Sequence, residues 1–428
     1  MTNNITLNQD QENACDKFLE FLSSKDKYFI ITGGSGTGKT TLVTYLLDNV
    51  DSYQKTLSLI NSNNSKFYDT IHLTATTHKA ARVLQETIQG SNVSTIHSLL
   101  GLRVQNNYET GETNLVKINK ADFITDSLIF VDESSYIDSQ LAEYIDAYTD
   151  NCKIILIGDK YQLTPIKCST SIMDKNYPYA ELTKVMRNSG SILEVGKQFR
   201  ESVKTNKFKP ISNTDASIEK VSGSEFKDLI TDCFTSANYC HNYAKILAWT
   251  NSRVVAYNDF VRNILHKPKH LVKGDVVTNV NVLKIHNAFD NMFNIPIDTV
   301  LTVLQSSDVM TERDIKGRYI DYVCPYGRYS HFMPNNFNEA KQLLKTLAKK
   351  KQWRDYYFIK ENWLDARPDY ASTINKAQGS TYNTVFLDLS NIGKCHISNQ
   401  VARMLYVSVT RGKEKVYLYG DLPSKYGG

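Results

Sequence analysis

With 428 residues, the chain is about three times as long as the ~150 residues typical of one domain, so it is not a single small binding module. Hydrophobic residues make up 41% and charged residues 22%, a globular composition that excludes a disordered tail. The 50 Lys and Arg residues outnumber the 45 Asp and Glu residues, and the resulting net charge of +5 permits a polyanionic partner without indicating one.

The sequence also lacks the signals of membrane and secreted proteins. No apolar run approaches the ~18 residues that cross a bilayer, and the N-terminus lacks the basic start and apolar stretch of a signal peptide. The seven cysteines are scattered and never in CxxC spacing, which argues against a disulfide framework or a zinc site. We therefore expect a soluble, cytoplasmic protein without a membrane partner.

Short apolar segments alternate with helical patterns along much of the chain. In the first half they comprise residues 28–32, 70–75, 127–132 and 153–157. A helix is predicted from Lys79, after the second of these strands. The pattern begins again near Glu181, with strands predicted at 245–250, 384–389 and 415–419. Buried parallel strands that alternate with helices predict α/β sheets, whose ligands bind at the carboxyl ends of the strands.

A glycine-rich loop follows the first strand and precedes a helical pattern. It satisfies GxxxxGK[ST] and comprises Gly33, Gly34, Ser35, Gly36, Thr37, Gly38, Lys39 and Thr40. Glycines allow backbone N–H groups to wrap phosphates, while the helix N-terminus adds positive potential. Lys39 is expected to reach the β and γ phosphates, and the Thr40 hydroxyl to bind Mg²⁺. The loop therefore predicts a nucleotide site.

A P-loop alone is compatible with a kinase, a GTPase switch or a motor, so the carboxylates at the end of strand 127–132 are informative. Asp132 closes this strand and is expected to hold Mg²⁺ through water. The adjacent Glu133 can polarise an attacking water molecule. This pair favours nucleotide hydrolysis over phosphoryl transfer to a metabolite.

Three segments depart from the α/β order. Residues 103–119 are mostly polar and alternate around Gly111, which predicts a β-hairpin. Residues 273–322 are rich in β-formers and turns and predict a small barrel. Residues 337–351 predict an amphipathic helix whose lysines face solvent. One module is therefore expected to be inserted into another.

Six motifs in order resemble the motif series of superfamily 1 helicases, and in particular their RecD-like branch, which moves 5′→3′. They are GGSGTGKTT, TATTHKAA, FVDESS, GDKYQLTPI, INKAQGSTYNTVFLD and LYVSVTRGKEKVYLYG. The resemblance covers nearly the whole chain and implies two RecA-like P-loop domains. The implied domains are residues 1–178 with a hairpin insertion at about 101–120, residues 179–257 with 368–428, and an inserted SH3-like β-barrel with a helical arm at 258–367.

The resemblance implies an ATP site between the two RecA-like domains. The residues implied to bind ATP are Gln11, Gly33, Gly34, Ser35, Gly36, Thr37, Gly38, Lys39, Thr40, Thr41 and Gly379. The implied catalytic residues are Lys39, Glu133, Gln162, Arg187 and Arg411, with Thr40 and Asp132 as Mg²⁺ ligands. Gln162 matches the γ-phosphate sensor, and the two arginines match those that reach the γ-phosphate from the second domain. A fixed cation held across a cleft stabilises transition-state charge only when the cleft closes.

The resemblance also implies contacts with single-stranded DNA. The implied residues are Thr77, His78, Ser94, Thr95, His97, Thr250, Asn251, Thr373 and Lys376. Small hydroxyls and amides bind phosphates without reading bases, which suits movement through any sequence. Asn375 departs from the family, which usually has histidine at this position. The hairpin at 103–119 lies where the family carries a strand-separating pin, and a plain surface hairpin is the alternative.

The sequence thus predicts an ATP-dependent helicase that unwinds DNA, with ATP and Mg²⁺ as cofactors. An RNA helicase of the same superfamily and a nucleotide-switched single-strand remodeller without unwinding are the alternatives. Expected partners are single-stranded DNA and its junctions with duplex DNA, together with proteins of replication, repair or recombination. We expect the monomer to be functional, in the host cytoplasm if the chain is encoded by a phage.

Overall fold

The computed structural model of the chain describes residues 5–60, 68–88, 91–118, 123–164, 171–186, 190–211, 215–286 and 292–428. Arg187, one of the two arginines expected at the γ-phosphate, lies outside these ranges, as do the last residue of the predicted hairpin and the end of the motif GDKYQLTPI. Within them, no helix combines the length and the apolar character needed to cross a membrane.

The first half of the chain alternates strands and helices. Its helices are α1 (Gln9–Ser23), α2 (Lys39–Ile60), α3 (His78–Thr87), α4 (Ile96–Leu99) and α5 (Ser139–Tyr148). Its strands are β1 (Tyr28–Gly33), β2 (Thr70–Ala75), β3 (Val93–Thr95), β4 (Leu102–Asn106), β5 (Thr113–Lys117), β6 (Ile124–Thr125), β7 (Ser127–Asp132), β8 (Thr149–Asp150), β9 (Lys153–Gly158) and β10 (Tyr179–Leu182). Short 3₁₀ turns occupy Ser134–Tyr136 and Ile172–Asp174.

Six of these strands form one parallel sheet, in the order β10-β1-β9-β7-β2-β3. Alternate side chains face opposite layers, as the strand repeat requires. Phe29 and Phe130 pack with Phe18 of α1 on one face, while Ile129 and Ile154 face the other side of the sheet. The strands predicted at 28–32, 70–75, 127–132 and 153–157 are confirmed as β1, β2, β7 and β9.

The second half continues in the same chain order. Its helices are α6 (Gly190–Thr205), α7 (Gly223–Thr235), α8 (Asn251–Ile264), α9 (Phe337–Lys349), α10 (Trp353–Asn362), α11 (Ile374–Ala377), α12 (Leu389–Ile392) and α13 (Ser398–Val409), with a 3₁₀ turn at Ser424–Tyr426. Its strands are β11 (Ile218–Val221), β12 (Ala244–Ala248), β13 (Val276–Asn279), β14 (Leu283–His286), β15 (Met292–Ile295), β16 (Val300–Ser306), β17 (Met310–Glu312), β18 (Ile315–Cys324), β19 (Gly327–Pro334), β20 (Ala366–Pro368), β21 (Ala371–Thr373), β22 (Tyr382–Asp388) and β23 (Gly412–Tyr419).

A second parallel sheet has the order β11-β23-β22-β12-β21. The strands predicted at 245–250, 384–389 and 415–419 are confirmed as β12, β22 and β23, with ends that differ by one to three residues. The prediction of α/β architecture with two RecA-like parallel sheets is therefore confirmed. The sheets are built from widely separated segments, because β12 and β21 are neighbours in space with the inserted module between them in sequence.

The inserted module is antiparallel. Its main sheet has the order β17-β18-β16-β13-β20, with β19 paired to β18, and β14 and β15 form a separate hairpin. Among the described strands this hydrogen-bonded path remains open, so the antiparallel insertion is confirmed but a closed barrel is not observed. The helix predicted at 337–351 is present as α9 and is followed by α10, which was not predicted from the sequence.

Three elements lie at the expected module boundaries. β10 belongs to the first sheet, because it pairs with β1, so this sheet extends past residue 178. Helix α8 continues through residue 257 to Ile264, since its buried Tyr257 and Val261 pack in the core of the second sheet. β20 pairs with β13 of the insertion, which therefore includes Pro368.

Candidate active site and nucleic-acid cleft

The glycine-rich loop lies at the carboxyl end of β1 and leads directly into α2, as predicted. Gly36 and Gly38 have φ angles of 75° and 82°, in the left-handed region that glycine tolerates best. The Lys39 ammonium donates hydrogen bonds to the carbonyl oxygens of Gly33 and Gly34, at 2.7 and 2.9 Å. The predicted loop residues therefore form one continuous turn, with the lysine folded over it.

Gln11 lies beside this loop, at the start of α1. Its side-chain oxygen accepts a hydrogen bond from the Asn8 N–H at 3.0 Å, which completes a capping box at the helix start. Its side-chain nitrogen donates to the Gly38 carbonyl at 3.1 Å. A Cβ atom at Gly38 would lie 2.6 Å from that nitrogen, so only glycine allows this close approach. The structure thus places Gln11 at the nucleotide loop.

Asp132 and Glu133 lie at the carboxyl end of β7. Glu133 has a φ of 51°, a left-handed conformation that is unusual for a residue with a Cβ and that concentrates at functional sites. The Thr76 hydroxyl fixes this turn by donating to the Glu133 carbonyl at 3.0 Å. Burial, together with the adjacent Glu133 charge, raises the pKa of Asp132. The two predicted carboxylates are therefore adjacent in a poorly solvated position.

Lys39 shares this electrostatic environment. Burial lowers its pKa, while the negative charges of Asp159, Glu133 and Asp132 act in the opposite direction. Asp159 follows β9 and is almost completely buried. The cluster places one ammonium group among three carboxylates at the carboxyl edge of the first sheet, which is where a parallel α/β sheet binds ligands.

The second RecA-like sheet contributes Tyr406 to the same cluster. The Tyr406 hydroxyl, on α13, donates a hydrogen bond to Asp159 at 2.6 Å. It also lies against the nucleotide loop, since a Cβ atom on Gly34 would be 2.9 Å from the Tyr406 oxygen. Burial and the Asp159 charge raise the pKa of Tyr406 well above its usual value. Neither Tyr406 nor Asp159 was among the predicted site residues.

Gln378 and Gly379 connect the two sheets at Glu133. The Gln378 amide donates to a Glu133 carboxylate oxygen and to the Ser135 hydroxyl, at 3.5 Å in both cases. Gly379 has a φ of 77°, and a Cβ atom there would lie 3.6 Å from the other Glu133 oxygen. The predicted Gly379 thus reaches the predicted water-polarising residue. The adjacent Gln378, which belongs to the motif INKAQGSTYNTVFLD, is a site residue that was not predicted.

Gln162 lies just after Asp159 and is also buried between the sheets. Its backbone carbonyl accepts a hydrogen bond from Arg403 of α13, which also donates to the Lys160 carbonyl at 2.8 Å. The side-chain oxygens of Gln162 and Gln378 are both buried, and neither has a hydrogen-bond partner in the part of the chain that the structure describes. These two amides lie where the two RecA-like domains meet, a region we call the interdomain joint. Each amide oxygen there can still accept a hydrogen bond.

Arg411 lies at the end of α13 and is buried. Its guanidinium donates to the carbonyl oxygens of Val407 and Ser380, at 3.1 Å in both cases. Its charge acts on Lys39, Tyr136 and Tyr406, which places it within electrostatic reach of the P-loop cluster. Met186, the last described residue before Arg187, donates its N–H to the Gly36 carbonyl at 2.7 Å.

The donor set is compatible with Mg²⁺. Magnesium in nucleotide sites is usually held by one or two protein oxygens together with substrate phosphates, rather than by a cage of protein ligands. Within the described ranges, no group of three or more His, Cys, Asp or Glu side chains could hold a metal ion on its own. The Thr40 hydroxyl and the half-buried Asp132 carboxylate supply hard oxygen donors of the required kind.

A large cleft lies between α3 of the first domain, the second RecA-like sheet and the insertion. Its volume is about 1040 Å³. Four of the predicted DNA-binding residues line it, namely His78, Asn251, Thr373 and Lys376. Arg82, Lys341 and Arg367 also line the cleft and were not predicted. A cleft with cations and small polar groups suits a nucleic-acid backbone.

Four of the other five predicted DNA-binding residues make structural hydrogen bonds. The hydroxyls of Thr77 and Thr95 cap helices α3 and α4, each by accepting an N–H at 3.1 Å. The Ser94 hydroxyl donates to the Thr95 carbonyl, and Thr250 bonds to Asn391. His97 lies close enough to His78 for their charges to interact. None of these five residues is among those that line the cleft.

Lys79 spans the two domains inside the cleft. Its ammonium donates to the Ser380 hydroxyl at 2.5 Å and to the Lys376 carbonyl at 3.5 Å. Burial lowers the pKa of Lys79. Asn375 contributes through its backbone, since its carbonyl accepts a hydrogen bond from Tyr136 at 3.4 Å. The segment from Asn375 to Ser380 thus contacts both helix α3 and Glu133.

The predicted hairpin is confirmed as β4 and β5, and its tip contacts the insertion. Tyr108 donates to Glu361 of α10 at 3.1 Å and accepts from Lys284 at 2.8 Å. The Tyr357 hydroxyl donates to the Gly111 carbonyl at 2.8 Å. A Cβ atom at Gly111 would overlap the Trp353 ring, so glycine permits this contact. The hairpin is therefore anchored at both its base and its tip.

Comparisons with known proteins agree with this arrangement. Residues 6–216 match a family model described as an AAA domain, and residues 369–419 match a UvrD-like helicase C-terminal domain. The ATP-dependent DNA helicase dda of Enterobacteria phage T4 is 24% identical over 454 residues, covering 96% of this chain and 98% of that protein. The RecBCD enzyme subunit RecD of Buchnera aphidicola is 23% identical over 465 residues, covering 94% and 72% of the two chains.

A solved structure supports the fold over the same length. The Pif1 helicase from Bacteroides, crystallised with ADP-AlF3 and ssDNA, matches 99% of this chain and 94% of its own, with a TM-score of 0.51 and 14% identity. The two family models match the P-loop half and the C-terminal motor segment in the order that the six motifs predict. The chain belongs to the Pif1, RecD and Dda family of superfamily 1 helicases.

Proposed function

We propose that the chain is an ATP-dependent DNA helicase that moves 5′→3′ along single-stranded DNA and separates the duplex ahead of it. The observation that carries this function is the joint at the P-loop, where Tyr406 and Gln378 of the second RecA-like domain bond to Asp159 and Glu133 of the first. The full-length match to a phage DNA helicase supports DNA as the track.

The joint explains how nucleotide turnover produces movement. ATP at the P-loop would contact residues from both domains, so its binding favours a closed cleft and its hydrolysis favours an open one. The DNA cleft has α3 on one side and the second sheet and the insertion on the other. Opening and closing of the interdomain joint therefore changes the distance between the two sets of DNA contacts. If the two sets alternate in how tightly they bind the strand, this change becomes a step along the DNA.

The proposed roles in hydrolysis follow from the chemistry of each residue. Lys39 binds the β and γ phosphates, and Glu133 accepts a proton from the attacking water. Gln162 senses the γ-phosphate, while Arg411 and Arg187 stabilise the charge that develops in the transition state. Mg²⁺ held by Thr40 and Asp132 would neutralise phosphate charge when bound. Gln378 positions Glu133 through the hydrogen bond between their side chains.

Glu133→Gln is expected to bind ATP normally and to lose turnover by about 10²-fold or more, because the amide keeps the shape but cannot accept a proton. Steady-state ATPase with single-stranded DNA and separate nucleotide-binding titrations measure the two effects. Glu143→Gln, an exposed position on α5, is the matched control. Turnover within a few-fold of the unmodified protein would remove Glu133 from the role of general base.

The preference for DNA over RNA also requires a test, because an RNA helicase of the same superfamily is the alternative. Backbone contacts through hydroxyls and amides do not identify the sugar. ATPase stimulation should be compared with oligo-dT and oligo-U of equal length at one salt concentration, because affinity for nucleic acid depends strongly on salt. Preferential stimulation by oligo-dT is expected, and preference for oligo-U would assign the motor to RNA.

We also propose that the hairpin β4–β5 is the strand-separating element. Its base is continuous with the first domain, and its tip is held by Glu361, Lys284 and Tyr357 of the insertion. A wedge must resist the force of duplex opening, and two-sided anchoring provides that rigidity. Its polar surface is compatible with a nucleic-acid fork.

Replacing residues 106–113 with a short Gly-Ser link is expected to abolish most duplex unwinding and to preserve ATPase stimulation by single-stranded DNA. This replacement retains the buried Leu102 and the core-packed Leu115 at the hairpin base, so the first domain should keep its fold. Unwinding, ATPase and thermal melting should be measured on one preparation. Equal loss of both activities indicates a structural hairpin, and unchanged unwinding places the separating element elsewhere.

The remaining proposals concern modules and setting. We propose that the antiparallel insertion is an SH3-like barrel with a helical arm formed by α9 and α10, and that the three modules divide close to residues 178, 257 and 368. We propose a functional monomer that uses junctions of single-stranded and duplex DNA, in replication, repair or recombination. The six cysteines within the described ranges are free thiols, which suits a reducing cytoplasm.

A further inference from the structure

A second cavity opens between helix α8 and the inserted sheet. Its volume is about 330 Å³, at the lower end of the range of ligand pockets. Its charged lining contains Arg262, Lys269, Arg318 and Arg367, against the single carboxylate of Asp259. This side pocket lies outside the interdomain joint, and the proposed steps of hydrolysis do not use it.

The cations of the side pocket differ in how far they are neutralised. Arg262 is buried and pairs with Asp275 at 2.9 Å, and Arg367 pairs with a carboxylate at 2.8 Å. Arg318 instead donates to the carbonyl of Ser307, at 2.5 Å. The exposed Lys269 side chain has no hydrogen-bond or ion-pair partner among the described residues. Lys269 and Arg318 are therefore the positive charges available to an anion.

The side pocket is continuous with the central cleft. The two cavities share six lining residues, namely Val255, Asn258, Asn335, Phe337, Arg367 and Pro368. Arg367 lies over the Phe337 ring, with its guanidinium carbon 4.4 Å from the ring centre. Leu271, Ile320 and Met333 form an apolar part of the remaining wall, which also contains the polar His270. A charged edge beside an apolar wall matches a nucleotide, which has an anionic phosphate and a flat base.

We propose that the side pocket binds one phosphate, with its nucleotide, of the single strand where the strand leaves the central cleft. This inference rests on the proposed function, because the central cleft must hold the strand first. Lys269 and Arg318 contact the phosphate, and the apolar wall contacts the sugar or base. The contact is independent of sequence, since phosphate recognition carries no base information. It lengthens the DNA site by about one nucleotide beyond the central cleft.

The inference predicts a length-dependent effect of Lys269→Glu. Equilibrium binding of oligo-dT from about 4 to about 16 nucleotides covers the usual range of single-strand site sizes. Oligonucleotides confined to the central cleft should bind Lys269→Glu and the unmodified protein equally. Longer ones should bind the variant more weakly, with a log–log salt slope smaller in magnitude by about 0.7 per lost phosphate contact. Lys273→Glu, an exposed lysine that does not line the pocket, is the charge-matched control.

Each outcome of this titration decides the proposal. A loss restricted to long oligonucleotides and absent from Lys273→Glu supports it. Equal losses at all lengths, or equal losses in both variants, overturn it, because they indicate a general electrostatic effect. Inorganic phosphate provides a further test as a competitor. If it lowers the affinity for short and long oligo-dT by the same factor, the proposal is overturned, because the pocket is then not specific to the longer strand. Failure of the unmodified protein to bind any oligo-dT would instead contradict the proposed function.

Discussion

Lys39→Ala is expected to abolish ATP turnover, with or without DNA. The Lys39 ammonium lies over the nucleotide loop and among the carboxylates of Asp132, Glu133 and Asp159, where it is the cation that would bridge the phosphates. Alanine removes this charge and leaves the three carboxylates uncompensated. Phosphate release in the presence of saturating single-stranded DNA measures the loss.

Lys55→Ala is the matched control for Lys39→Ala, because it removes an exposed lysine from the same helix α2. It should retain full turnover and the same melting temperature as the unmodified protein. DNA-stimulated hydrolysis near the normal rate in Lys39→Ala would show that the loop is not the ATP site.

Arg411→Ala is expected to reduce the rate of ATP hydrolysis by about 10³-fold or more, as for other arginines that act on a transferring phosphoryl group. The effect should appear in turnover and much less in nucleotide affinity, because the charge it stabilises develops only in the transition state. Single-turnover hydrolysis and nucleotide titration separate these quantities. Arg411→Lys should recover little activity, since an ammonium lacks the planar fork of the guanidinium.

The folding of the Arg411 variants requires a control, because this side chain also donates to the carbonyls of Val407 and Ser380. Lys413→Ala changes an exposed cation two residues away and should hydrolyse ATP normally. Thermal melting and DNA binding should be compared across the three variants. A well-folded Arg411→Ala protein with normal turnover would exclude the role of Arg411 at the γ-phosphate.

Local pattern predicted the parts of the molecule that are continuous in sequence. The P-loop, the Asp132-Glu133 pair and the hairpin are each encoded within a few residues, and the geometry that phosphates and tight turns require leaves little choice of residue type. The strands β1, β2, β7 and β9 were predictable for the same reason, since buried parallel strands read as apolar runs.

Long-range contacts were not predictable in this way. Tyr406 and Asp159 are 247 residues apart, and only the packing of α13 against the first domain brings them together. Lys79 and Ser380 are 301 residues apart. Two of the strands at sheet edges, β10 and β21, are only four and three residues long, too short to show a clear alternation of side chains. The open path of the insertion depends on strand pairing, which a β-rich pattern does not specify.

Unwinding of tailed duplexes distinguishes a 5′→3′ helicase from a motor of opposite polarity and from an ATPase that does not separate strands. One duplex should carry a 5′ single-stranded tail, a second a 3′ tail and a third blunt ends, all at equal concentration and salt. With ATP and Mg²⁺, we expect separation of the 5′-tailed duplex, little separation of the other two, and no separation when ATP is omitted. Separation of the 3′-tailed duplex alone, or ATP hydrolysis stimulated by DNA without separation of any duplex, would contradict the proposed function.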